Sequence, residues 1–109
     1  MTGITVVVCG DVSEDVITLI NRRYEIETIG YGGVKSSAVL NWALRKHLNV
    51  VTYPCDYHKH GDKAIFVQHY KLLRDLEPDL IVIKASCGML GTYVESISKD
   101  MNFKALMVK

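Results

Sequence analysis

Two glycine-rich segments carry the residues best suited to chemistry: Gly30-Tyr31-Gly32-Gly33-Val34-Lys35-Ser36-Ser37 and Ala85-Ser86-Cys87-Gly88-Met89-Leu90-Gly91-Thr92. Each follows a short apolar run and precedes residues with helical spacing. Glycines placed just before a helix let backbone N–H groups approach an anion closely, so the pair points to a phosphate or pyrophosphate ligand. Glycines that merely permit tight turns are the alternative. Lys35 adds a cation to the first segment, and Ser36 or Ser37 would cap the following helix or donate to phosphate. Gly10 occupies a third, shorter loop of the same kind. In the segment Pro54–Gly61, Tyr57 suits stacking on a base and Asp56 suits a ribose hydroxyl. An Asx turn with Tyr57 packed as a plug is the alternative there. Gly91 and Thr92 offer an N–H and a hydroxyl, but Thr92-x-x-Glu95 also reads as a capping box at a helix start. His58 and His60 flank Lys59 without a third ligand at diagnostic spacing, so no metal and no cofactor is expected.

These loops need a scaffold, and the apolar pattern supplies one. β-branched runs at Ile4–Val8, Ile26–Ile29, Val50–Tyr53, Leu80–Ile83 and Ala105–Val108 alternate with helical stretches. The first stretch opens with Ser13, Glu14 and Asp15 and closes with Arg22 and Arg23, matching a helix dipole at both ends. Val16, Ile17, Leu19 and Ile20 supply its buried face. The others are expected near 36–47, 63–76 (ended by Pro78) and 92–100. Repeated strand–helix alternation predicts an α/β fold, Rossmann-like, with a parallel five-stranded sheet and helices on both faces. Ligands of such sheets bind at the carboxyl ends of the strands, beside the point where strand order reverses. Gln68 and His69, in the first half of the third long helix, would border that site as polar contacts.

The 109 residues are 49% hydrophobic and 23% charged, which suits one small domain spanning 1–109. A formal charge of +1 argues against a field-driven binder of nucleic acid or anionic membrane. No apolar run approaches the ~20 residues that span a bilayer. Cys9, Cys55 and Cys87 are odd in number and far apart, unlike a disulfide framework. A cytoplasmic, reduced-thiol protein is expected. Trp42, within the second helix, is expected in the core or at an interface. With the sequence ending after the fifth strand and Trp42, Val39 and two further amphipathic helices to cover, a symmetric homo-oligomer is expected.

The order and spacing of Gly32-Gly33-Val34-Lys35-Ser36-Ser37-Ala38, of Pro54 to Gly61, and of Cys87-Gly88-Met89-Leu90-Gly91-Thr92-Tyr93-Val94-Glu95 resemble a known family. It is the YspA/YpsA-related branch of the SLOG superfamily, which also contains the Lonely Guy phosphoribohydrolases. There the segments read GGARGAD, PADWxxYG and PGGxGT, and the resemblance covers nearly the whole chain. It implies a Rossmann-like domain for nucleotide-derived ligands such as ADP-ribose species, with N-glycosidic hydrolysis in some members. Glu95 falls at the carboxylate position of the hydrolases. The departures are specific. Lys35 replaces Arg, Ser36 a glycine and Ala38 an Asp; Cys87 and Met89 replace the Pro and second Gly of PGGxGT. Gln68-His69 stands where the branch has Arg-Asn. These losses weaken catalysis more than binding, since Lys lacks the bidentate fork of Arg. The expectation is therefore a non-catalytic sensor or sequestering protein for a signalling nucleotide. A Lonely Guy-like hydrolase of nucleoside monophosphates and an interaction subunit with a vestigial site are the alternatives.

Overall fold

The computed structural model describes residues 3–32, 38–53 and 55–109. Strands β1 (Ile4–Cys9), β2 (Ile26–Gly32), β3 (Asn49–Val51), β4 (Leu80–Lys84) and β5 (Ala105–Val108) form one sheet in the order β3-β2-β1-β4-β5. Every pairing is parallel. The connecting helices are α1 (Glu14–Tyr24), α2 (Ala38–Arg45), α4 (Ala64–Leu76) and α5 (Met89–Asp100). A one-turn helix α3 (Tyr57–His60) and the 3-10 turns Gly61–Lys63 and Ala85–Cys87 complete the described elements. The fold is α/β and Rossmann-like, as its alternating pattern predicts.

Both faces of β1 are covered, which explains its unbroken apolar character. Val6 and Val8 pack with Ile17 and Ile20 of α1 and Val39 and Trp42 of α2. On the opposite face Val7 and Cys9 pack with Leu73 of α4 and Val94 of α5. Trp42 is thus a core residue of this chain, one of the two roles, core or interface, expected of it, and neither it nor Val39 is left for a second copy to cover. Leu19 departs in the other direction: it was expected on the buried face of α1 and is 62% exposed. The α1 start follows its sequence, with the Ser13 side chain accepting the Val16 N–H at 3.4 Å. At the end of α4, Glu77 adopts a left-handed φ of 45° and Pro78 follows, so the helix cannot continue.

Some boundaries shift, and the shifts bear on the site. β2 continues through Gly30, Tyr31 and Gly32, which places Gly32 in the strand rather than in the loop. The Pro54–Gly61 segment, expected as a loop, contains α3. Helix α5 begins at Met89, three residues before the expected start at Thr92. Among the described residues no helix is long and apolar enough to cross a membrane.

Candidate functional site

The strand order reverses between β1 and β4, because β1 leads outward to β2 and β3 while β4 leads to β5. At this switch point Cys9 is level with Gly32 on one side and Ile83 on the other. Three features meet there. Gly10 leaves β1 with φ of 94°, a conformation that side chains disfavour. A Cβ on it would lie 2.3 Å from the Cys87 Sγ and 2.8 Å from the Lys84 Cβ, so the backbone passes tightly under the segment following β4. Gly88, with φ of 62°, is the N-cap of α5 and supplies no capping side chain. Among the described residues no side chain accepts from the first N–H groups of that twelve-residue helix, which begins beside the switch point.

Lys84 is a functional candidate that the sequence reading passed over. It ends the apolar run of β4 and reads there as a strand terminus, yet it stands against Gly10 at the reversal. Its Nζ donates to the Lys109 carbonyl at 3.2 Å. Cys9 and Cys87, which both follow central strands in the sequence, are neighbours: the Cys87 thiol donates to the Cys9 carbonyl at 3.6 Å. Burial pushes the Cys9 thiol far above the usual range, and the adjacent Cys87 adds to the shift. Cys9 is thus an inert thiol rather than a nucleophile.

Two adjacent residues of α4 hold the ends of β2 and the segment after β3. The buried His69 ring has Nε2 2.9 Å from the Gly32 carbonyl and Nδ1 2.8 Å from the Ile65 carbonyl. Gln68 donates to the Tyr53 carbonyl and accepts from the Cys55 thiol at 3.3 Å. Both side chains were expected to touch a ligand. Their polar atoms are instead committed inside the protein, as burial requires, and they act as positioning residues. Desolvation holds the His69 imidazole below its ordinary pKa, partly offset by its two carbonyl neighbours.

The expected capping box at Thr92 and Glu95 is also corrected. Thr92 lies inside α5, where its hydroxyl donates back to the Gly88 carbonyl at 3.3 Å. Glu95, half-buried, is about 9 Å along the axis from Met89 at 1.5 Å per residue, well below the helix mouth. Met89 stands in the first turn and is 82% exposed. Gly91 packs toward Ile83, where a Cβ would come within 3.2 Å of its side chain. That is a packing role. Asp56 caps α3 by accepting the Lys59 N–H at 3.0 Å. Tyr57 is 52% exposed, so it is not a plug, and its ring faces solvent near Cys55.

Gly33, Lys35, Ser36 and Ser37 lie outside the described residues. Among the described residues no group of three or more His, Cys, Asp or Glu could hold a metal ion. The described cavities lie at the opposite, amino-terminal edge of the sheet. One of about 750 Å³ runs between α1 and β5, and a smaller one of about 270 Å³ adjoins Gly3 and His47. Comparison with protein-family models, with curated proteins and with solved structures finds no match for the chain.

Proposed function

We propose that this protein is a SLOG-like domain that holds a nucleotide-derived small molecule, of the ADP-ribose type, without turning it over. The observation that carries the reading is the start of α5, uncapped by a side chain among the described residues, at the β1/β4 reversal. A helix mouth there offers N–H donors and a partial positive charge to a phosphate, and Gly10 and Gly88 themselves add no side chain to the approach. The glycine segments and their spacing, which resemble the superfamily, support the same assignment. Lys84, whose side-chain stem lies beside Gly10, supplies a cation at the carboxyl edge of the sheet next to the end of β5, and Tyr57 supplies an exposed ring at the same edge.

The non-catalytic part of the proposal rests on Glu95. Glycosidic cleavage needs a carboxylate beside the reacting sugar, and Glu95 sits two turns down α5 from the helix mouth. The same proposal has the chain self-associate through β5, which pairs with β4 on one side and exposes Ala105, Leu106 and Met107.

The test is to purify the protein from a host lysate, denature it, and identify released small molecules by mass spectrometry, with a parallel assay for free-base release from AMP. A co-purifying nucleotide and no base release support the proposal. Robust base release that vanishes in Glu95→Gln would replace it with a phosphoribohydrolase.

A further inference from the structure

The larger cavity lies away from the switch point and calls for its own occupant. On the α1 side of the sheet, α1 and α2 pack over β1 and β2 and bury Val82 of β4, while Leu106 of β5, paired with Val82, stays 43% exposed. The resulting groove has a floor of Ile4, Ile20 and Leu80, with Leu19 and Leu106 on its walls. Leu19 and Leu106 are 62% and 43% exposed, so apolar surface of α1 and β5 stands open to water across the groove. A volume of about 750 Å³ lies within the roughly 300–1,000 Å³ typical of small-molecule sites.

Charge decides which ligand fits. Arg22, Arg23 and Lys104 line the same groove, and among the described residues none of them has a carboxylate partner. The carboxylate in the lining, Asp79, spends an oxygen on the Thr5 N–H at 2.9 Å. Arg23 lies over the Tyr24 ring, 5.6 Å from its centroid, which holds one guanidinium along the wall. Three cations beside an apolar trough complement a molecule with one alkyl chain and one anionic end. Two copies of this face pressed together about a two-fold axis would bring like charges together.

We infer that the α1–β5 groove is a second binding site, for a monomeric long-chain carboxylate. The chain lies on Ile4, Ile20 and Leu80 between Leu19 and Leu106, and the carboxylate meets Arg22, Arg23 and Lys104. This site stands independently of the nucleotide site, which lies at the other edge of the sheet and uses none of these residues; Ala105 and Leu106 are shared with the proposed self-association through β5.

Sodium dodecanoate, kept below its micelle concentration, is the probe, read by amide NMR shifts of the whole chain. Dodecyltrimethylammonium, dodecyl maltoside and phosphatidylglycerol vesicles are the comparison arms. The inference expects saturable shifts at residues 19–24 and 104–106, and binding of the cationic amphiphile at least about tenfold weaker. Arg22→Glu with Arg23→Glu, and separately Leu106→Glu, should each weaken dodecanoate about tenfold or more. These side chains are exposed, so circular dichroism should show the fold retained. Equal binding of all three detergents, indifference to the substitutions, or no saturable shift would overturn the inference. Binding to vesicles alone would assign the groove to a membrane surface. Concentration-dependent burial of Leu19 that excludes dodecanoate would assign it to a second copy. Either result would displace the carboxylate site.

Discussion

The imidazole of His69 fills the space that any side chain at position 32 would need. A Cβ built on Gly32 falls 2.3 Å from Nε2, and that same nitrogen lies 2.9 Å from the Gly32 carbonyl. The glycine at the end of β2 is therefore required by a histidine from α4, apart from any ligand. Gly32→Ala should destabilise the protein by about 1–3 kcal/mol, the usual cost of forcing atoms into a packed interior. Urea unfolding measures it. The double change Gly32→Ala with His69→Ala should recover part of the loss, which a ligand-only role for Gly32 does not predict.

His69 also sets a pH dependence. Both ring nitrogens face carbonyls, but a neutral ring donates through one nitrogen only. Burial lowers its pKa below the ordinary 6.5, so the unfolded chain binds the extra proton first as pH falls. The unfolded state thus holds more protons between the folded pKa and 6.5, and stability declines as pH drops through that window. Above 6.5 this contribution is fully present. Urea midpoints between pH 5 and 8 should show the decline, and His69→Gln should remove most of its slope.

Gln68 ties α4 to the segment after β3 through Tyr53 and Cys55. Gln68→Ala should cost about 1–3 kcal/mol, because the partners stay partly buried without their bond. Amide exchange should quicken most at residues 53–57, ahead of the strands.

The layered fold was legible in the sequence because β-branched runs and helical spacing report burial directly. Ser13, Glu14 and Arg23 likewise marked the ends of α1 correctly. The candidate site was less legible, since its residues are defined by partners far along the chain. Nothing local to Gln68 or His69 shows that they bond to the segment after β3, 15 residues away, and to the end of β2, 37 residues away. The start of α5 was misplaced because Thr92-x-x-Glu95 imitates a capping box, whereas the helix opens at Gly88 with no side-chain cap. Lys84 looked like a strand end until the topology set it at the reversal. The exposure of Leu19 escaped notice because the spacing of α1 shows an apolar stripe and not which of its residues the sheet covers.

Self-association should appear in light scattering at tens of micromolar, where an association of roughly 7 kcal/mol or more is visible. Met107→Lys, on an exposed residue of β5, should shift the protein toward monomer without lowering its unfolding free energy by more than about 0.5 kcal/mol. Monomer throughout that range would contradict association through β5.

The most direct test of the proposed function is titration with ADP-ribose, followed by amide NMR over the whole chain. Saturable binding is expected, with the largest shifts at Gly10, Lys84 and Gly88–Thr92, and the ligand recovered unchanged afterwards. Lys84→Ala should weaken binding by about 1.5–3 kcal/mol, the worth of a hydrogen bond to a charged group. Shifts confined to the amino-terminal edge of the sheet, or no binding of ADP-ribose or AMP, would contradict the account.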